Sequence, residues 1–409
     1  MYDNDELIEK VILFTVDLDN GEDIAVNLKE LEELVKTAGA VVVGTMVQKK
    51  DSIDKATYIG SGKTEELRDM VIELGATGVV CDDELSPMQM KNLEETLDTK
   101  IMDRTMVILD IFAGRATTRE GKIQVELAQL KYRSSRLIGM RSSLSRLGGG
   151  IGTRGPGEKK LEIDRRIIRD KISQLQKELE DVKQHRQVMR KQRMSGNLPI
   201  VSIVGYTNAG KSTLLNHLTD AGVLEEDKLF ATLDPTSRNL KLENGQEIII
   251  TDTVGFIRKL PHHLINAFRS TLEEAKYADI ILHVVDVSNP HADGHIITVY
   301  ETLKGLGITD KPVITAFNKI DKVEEMPIIK DLTADTVINI SAKKEIGFSE
   351  LSEAIAEQIN KCRTYIEKVI PYTDANVLNK IRKSGTLLEE DYREDGIFVR
   401  AYVESSLHI

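Results

Sequence analysis

An α/β protein in four parts is predicted: an N-terminal α/β domain over residues 1–115, an antiparallel helical hairpin over 116–195, a larger α/β domain over 196–362 and a small C-terminal α/β appendage over 363–409. Three observations predict it. Strand-like and helix-like patterns alternate on both sides of the middle of the chain. Between them lies a basic block with heptad-spaced apolar residues, set in an otherwise acidic chain. At 409 residues the chain is also too long for one ordinary core.

Composition narrows the class. With 41% hydrophobic and 30% charged residues the chain reads as globular and soluble. The acidic start MYDNDELIEK lacks the basic and apolar regions of a secretory signal, and no apolar run approaches the ~20 residues of a membrane helix. Two distant cysteines, Cys81 and Cys362, exclude a disulfide framework or a cysteine metal site. A cytoplasmic monomer is expected.

The first domain opens with a strand, Lys10–Val16, then a helical LKELEELVKTAG and a buried-strand run, AVVVGTMV. A further strand is expected through KATYIG to about Gly60, followed by the helical TEELRDMVIELG and the strand ATGVVCDDEL. The segment YIGSGKTEEL, Tyr58 to Leu67, carries the Gly62-Lys63-Thr64 ending of a phosphate-binding loop. The first glycine of such a loop would fall at Thr57, whose side chain obstructs the bend, and no acid-ending strand follows. Gly60 and Gly62 therefore read as a tight turn and Lys63 as a surface lysine.

From Arg115 to Arg193 the chain holds 21 Lys+Arg against 9 Asp+Glu, a local charge of +12, which leaves −23 elsewhere. Such a footprint is expected where a protein meets phosphate backbone. Ile123, Leu127, Leu130, Ser134, Leu137, Arg141 and Leu144 alternate steps of four and three, as do Ile168, Ile172, Leu175, Leu179, Val182, Arg186 and Met189. Two helices packed along narrow seams follow. RLGGGIGTRGPGEKK between them is too rich in glycine and proline for helix and becomes the tip loop. Its Gly150-x-Gly152-x-x-Gly155 matches a dinucleotide fingerprint, but a helix enters where a strand is required. Bare backbone beside Arg146, Arg154, Lys159 and Lys160 suits close approach to folded RNA.

After the linker MSGNLPI, the larger domain begins with a strand, then Gly205-x-x-x-x-Gly210-Lys211-Ser212, then a helix. That order lets backbone N–H groups cradle phosphates while Lys211 neutralises them and Ser212 offers a hydroxyl to Mg²⁺. Asp252 ends a later strand and precedes Gly255, whose N–H can sense a γ-phosphate. Asn318-Lys319-Ile320-Asp321 ends another, and a carboxylate at Asp321 matches the paired donors of guanine but not adenine.

This set resembles translation-factor-type GTPases, with Ser341-Ala342-Lys343 as the segment that caps the base. FATLDPTSR, DTVGFIRKLPHHLINAFRSTLEE and, above all, RLGGGIGTRGPGEKKLEIDRR closely resemble the HflX family; the resemblance covers most of the chain and is weaker over the last ~45 residues. The resemblance makes 196–362 a Ras-like P-loop G domain. It implies a GTP site built from Gly205, Tyr206, Thr207, Asn208, Ala209, Gly210, Lys211 and Ser212, with Phe230, Ala231, Thr232, Leu233 and Asp234 from a first switch. Asp252, Thr253, Val254 and Gly255 follow, then Asn318, Lys319, Ile320, Asp321, Ser341, Ala342 and Lys343. Lys211, Thr232 and Gly255 would act on the reacting phosphates; Ser212, Thr232 and, through water, Asp252 would hold Mg²⁺, with Thr236 one short turn from Thr232.

Two departures bear on turnover. Phe256 stands where many GTPases carry a water-orienting glutamine, so slow intrinsic hydrolysis completed by a partner is expected. Asn208 reads equally as a turn residue or, as in related GTPases, as part of a K⁺ site. His262 and His263 read as surface residues and His283 as structural. The family resemblance implies binding to the large ribosomal subunit and its rRNA, GTP hydrolysis, and splitting or rescue of stalled or idle ribosomes under stress, with membrane association only peripherally through ribosomes. A GTPase for ribosome assembly or RNA modification and a nucleotide-binding RNA scaffold are the alternative readings.

Overall fold

The computed structural model describes residues 8–21, 23–144, 156–194, 198–219, 229–230, 232–261, 274–361 and 363–403. The chain forms two compact units, Met1–Asp181 with Lys259–Phe268, and Val182–Arg258 with Arg269–Ile409.

In the first unit β1 (Lys10–Asp17), α1 (Ile24–Thr37), β2 (Val41–Lys49), α2 (Ser61–Leu74), β3 (Gly78–Cys81), α3 (Pro87–Leu97), β4 (Lys100–Asp103) and α4 (Arg104–Arg115) alternate along the chain. The strands are all parallel, in the order β2-β1-β3-β4. Val11, Ile12, Leu13 and Phe14 are wholly buried, because helices cover both faces of a parallel strand and remove any polar alternation. Sequence periodicity did not reveal α3, β4 or α4. β4 has only four residues, and the apolar MVILDIF of α4 reads as strand or helix alike.

One stretch corrects the sequence reading. Residues 55–60 are not a strand. Asp54 Oδ1 accepts the N–H groups of Ala56 (2.8 Å) and Thr57 (3.1 Å), closing a tight turn in which Tyr58 is left-handed at φ +67°. Tyr58 and Ile59 are buried in the core, and Gly60 caps α2.

The basic block forms α5 (Arg119–Leu144) and α6 (Pro156–Met194). Arg119 pairs with Glu178 (3.9 Å) and Glu126 with Lys171 (3.6 Å), so the helices run antiparallel. Ile123, Leu127, Leu175 and Leu179 are buried, with Leu130, Ile168 and Ile172 half-buried, as the seam expects. The narrow seam on α5 is nevertheless corrected: Val125, Ala128 and Tyr132 are buried as well, because α5 also packs on α3 and α4. Fully buried Asp103 stitches these helices together, accepting from Leu85 N (3.1 Å), Tyr132 Oη (2.6 Å) and Arg136 Nη2 (2.6 Å). Some cations of the block are thus structural. The tip loop with Arg146 and Arg154, and the side chains of Lys159 and Lys160, lie outside the described residues.

The second unit holds β5 (Ile200–Gly205), α7 (Lys211–Thr219), β6 (Thr236–Lys241), β7 (Glu247–Asp252), β8 (Ile280–Asp286), α8 (Ala292–Gly305), β9 (Val313–Asn318), β10 (Thr336–Asn339) and α9 (Phe348–Lys361). Its sheet order is β10-β9-β8-β5-β7-β6, parallel except for β6. The carboxyl end of β5, between β7 and β8, lies where connections diverge to either side, the usual ligand crevice of such sheets. Beyond α9 come β11 (Thr364–Ile370), α10 (Ala375–Ser384), β12 (Thr386–Arg393) and β13 (Gly396–Val403), an antiparallel sheet in the order β11-β13-β12. The strands around a helix expected here gain a third strand, β12, whose charged sequence TLLEEDYR hid it.

Candidate nucleotide site

β5 delivers the loop 206–210 to the amino end of α7, and the loop's path depends on its glycines. Gly210 is left-handed at φ +95°, and a Cβ there would sit 2.3 Å from Asn318 Nδ2. Gly255 approaches so closely that a Cβ would lie 2.9 Å from both Lys211 Nζ and Thr207 Cα. Asn208 is left-handed at φ +60°, which fits its turn reading.

Lys211 is buried, and its ammonium donates to the carbonyls of Tyr206 (2.8 Å) and Gly205 (3.2 Å). Burial lowers its pKa to about 8, against the pull of Asp252 and with the push of Lys319. Three oxygens meet beside it. Ser212 Oγ lies 2.7 Å from Asp252 Oδ2 and 2.7 Å from Thr232 Oγ1. Thr236 instead opens β6, opposite Asp252 in the strand register. Burial pushes the Asp252 carboxyl upward although Lys211, Ser212 and Thr232 oppose the shift. Its Oδ1 is buried with no hydrogen-bond partner among the described residues. A buried carboxylate oxygen left over beside two hydroxyls is a donor set suited to a small hard cation such as Mg²⁺.

The opposite wall is braced from β9. Asn318 Nδ2 donates to Ala209 O (2.8 Å), while its Oδ1 accepts from Ala342 N (2.9 Å). Lys319 Nζ donates to Asn208 O (2.8 Å) and pairs with Asp286 (2.7 Å). Ser341 Oγ donates to Asp321 Oδ1 (2.6 Å), and that hydrogen bond is the main cause holding the Asp321 carboxyl below its ordinary value. Asp321 thus presents an oriented, half-exposed anion, with Ile320 half-exposed and Lys343 exposed alongside.

Other expected residues serve the framework. Thr253 Oγ1 donates to Ile203 O (2.7 Å), and Val254, Phe230, Leu233 and Ala342 are buried, with Asp234 half-buried. Phe256 is wholly buried, so its side chain offers nothing to an attacking water. Ala231, His262 and His263 lie outside the described residues. His283 is buried in β8, 3.6 Å from Asp331 and edge-on to Tyr300, as a structural residue would be. Sequence reading missed His295, whose ring stacks on Tyr206 with centroids 3.7 Å apart. No sequence spacing signals that pair.

The Gly62-Lys63-Thr64 segment is built differently. Gly62 lies within α2, and Lys63 pairs with Glu66 at 2.7 Å on the surface. The crevice beyond β3 holds Asp82 and Asp83, both bound by Lys259 Nζ at 2.8 Å, with Arg104 also on Asp82 (2.9 Å). Carboxylates there disfavour a phosphate chain.

The fold and loop define a guanine-nucleotide-binding P-loop GTPase. Residues 25–113 match the family profile "GTP-binding GTPase N-terminal", 115–193 "GTP-binding GTPase Middle Region" and 200–319 "50S ribosome-binding GTPase". A GTPase HflX from Lacrimispora saccharolytica is 63% identical over 402 residues, spanning 98% of this chain and 95% of that one. Another from Caldanaerobacter subterraneus is 53% identical over 92% of this chain and 87% of its own. The chain belongs to the HflX GTPase family and is a GTPase. A solved GTP-binding protein from Sulfolobus solfataricus, in complex with GDP, is 25% identical over 87% of this chain and 99% of that one, with a TM-score of 0.44.

Proposed function

We propose that the chain is a ribosome-binding GTPase that associates with the large subunit and uses GTP to split or rescue stalled or idle ribosomes under stress. The observation that carries this is the antiparallel pair α5–α6, built from the block of local charge +12, on the same chain as a phosphate loop. A basic helical pair joined in sequence by a segment carrying Arg146, Arg154, Lys159 and Lys160 suits contact with rRNA, and the family profile over 200–319 is described as 50S ribosome-binding. The parts act as four, 1–115, 116–195, 196–362 and 363–409, in a cytoplasmic monomer. Among the described residues no helix is long and apolar enough to cross a membrane.

The GTP site uses the loop 205–212, with Lys211, Thr232 and Gly255 on the phosphates and Asp321, Asn318 and 341–343 on guanine. Ser212, Thr232 and, through water, Asp252 hold Mg²⁺, which would neutralise developing phosphate charge when bound. The unpartnered Asp252 Oδ1 supports that assignment. Buried Phe256 supports slow intrinsic turnover with the catalytic push supplied by the ribosome.

GTP hydrolysis with and without purified large subunits, in potassium and in sodium buffer, tests the reading. Stimulation by subunits is expected, and dependence on potassium would assign a K⁺ to Asn208. Ribosome binding that ignored both nucleotide state and Lys211→Ala would sink the proposal, and preference for immature subunits would favour an assembly role.

A further inference from the structure

The segment 253–258 after β7, which stands where a GTPase carries its second switch, is fastened to the phosphate loop by more than chain connectivity. Phe256 N donates to Gly205 O (3.1 Å), and Thr207 N donates to Phe256 O (2.7 Å). Two residues on, Arg258 N donates to the phenol oxygen of Tyr206 (2.9 Å). The Tyr206 ring is only 5% exposed and lies flat on His295 of α8, with an interplanar angle of 4°. A phenol so clamped cannot swing with the segment it holds, so its hydrogen bond acts as a fixed anchor. Between the fastened residues and Asp252 sits Gly255, packed against Lys211 and Thr207, while the Tyr206 carbonyl accepts from Lys211.

We infer that Tyr206 is a positioning residue: stacked on His295, it pins the second-switch backbone at Arg258 and holds Gly255 down on the phosphate loop. This inference rests on the reading of 205–212 as the phosphate loop. Gly255 packs so closely on Lys211 and Thr207 that a γ-phosphate received by Lys211 would require it to lift, whereas a diphosphate ends short of it. The anchor therefore weighs against the triphosphate alone, making Tyr206 a determinant of GTP-over-GDP preference.

The test uses the full chain and fluorescent GTP and GDP analogues, the former non-hydrolysable. Tyr206→Phe keeps the ring and its stack but deletes the oxygen that receives Arg258 N–H. A net hydrogen bond of ordinary strength corresponds to about a fivefold change in an equilibrium. The ratio of GTP-analogue to GDP-analogue affinity is expected to rise about fivefold in Tyr206→Phe. His295→Leu, which frees the ring without removing the phenol, should shift the ratio the same way by a smaller factor. A purely structural role would weaken both nucleotides in parallel and leave the ratio fixed. An unchanged ratio in both variants, with wild-type binding intact, overturns the anchor alone; wild-type protein that bound neither nucleotide would overturn the phosphate-loop reading and the anchor with it.

Discussion

Asn318 was legible as part of a base-reading motif, yet its side chain braces the protein itself. It is 2% exposed and ties Ala209 O, in the phosphate loop, to Ala342 N, in the segment after β10. Asn318→Ala strands an acceptor and a donor where little water can replace the lost amide. Each stranded group costs about 1–3 kcal/mol, so the second unit should lose roughly 2–6 kcal/mol before any nucleotide is added. Calorimetry on nucleotide-free protein measures this as a lowered transition of the second unit. The first unit carries no contact of Asn318 among those described, so its transition should stay in place. Nucleotide affinity should fall too, because both loops lose their common brace. An unmoved transition combined with weakened GTP binding would refute the reasoning and make Asn318 a contact to the base alone.

Further outcomes follow from the same geometry. Asp321→Ala removes a charged acceptor oriented by Ser341, and should weaken GTP binding by about 1.5–3 kcal/mol, roughly ten- to a hundredfold, as read by nucleotide titration. Lys63→Ala should leave nucleotide affinity unchanged and move stability by no more than about 0.5 kcal/mol, since it deletes one surface pair. The second unit should lose stability on acidification in two stages. Burial lowers the His283 pKa, with Asp331 opposing, so the unfolded chain takes up a proton near 6.5 that the folded one refuses, and stability falls from pH 6.5 downward. Asp331 is held well below 3.8: burial raises it, but His283 and the hydroxyls of Thr315 and Tyr300 outweigh that, so a second loss begins near pH 4 and continues below it. His283→Gln should flatten the first stage in pH-dependent urea unfolding.

What the sequence made legible was whatever depends on neighbours along the chain. The loop 205–212, the acid ending β7 and the motif ending β9 are local patterns, and each falls at the carboxyl end of a strand of one sheet. The N-terminal alternation was legible as far as its long apolar runs, and faded at β4, where four residues carry no period. Contacts across the chain left no mark. Nothing in the spacing links Asp103 to Arg136 or Tyr206 to His295, because such pairs need only to meet in space. The charge count was likewise coarse: Arg136 contributes to the +12 but faces the buried Asp103 outside the block, so the charge free to meet an anionic partner is smaller than the count.

The two Gly-Lys-Ser/Thr segments separate composition from chemistry. Lys63 and Lys211 each follow a glycine and precede a hydroxyl residue near the start of a helix. Lys211 is 7% exposed, lowered to about pKa 8 by burial, and bonded to neutral carbonyls of the loop. An incoming phosphate would replace neutral partners with charged ones and raise that pKa again, so binding gains from relieving a poorly solvated cation. Lys63 has nothing comparable to gain. Its ammonium already faces Glu66 at the surface, and the successive N–H groups of the turn before it, those of Ala56 and Thr57, already donate to Asp54 Oδ1, while Tyr58 and Ile59 are sunk in the core. The difference lies upstream, where Gly205 opens one loop and Thr57 stands in the other, its own hydroxyl turned back onto Ile59 O at 2.7 Å. A Thr57→Gly substitution should therefore not create a phosphate site, since the buried Tyr58 side chain would still fix the turn. Phosphate or ATP binding gained by the first unit of that variant, measured by isothermal titration, would show that the missing glycine was the whole of the difference.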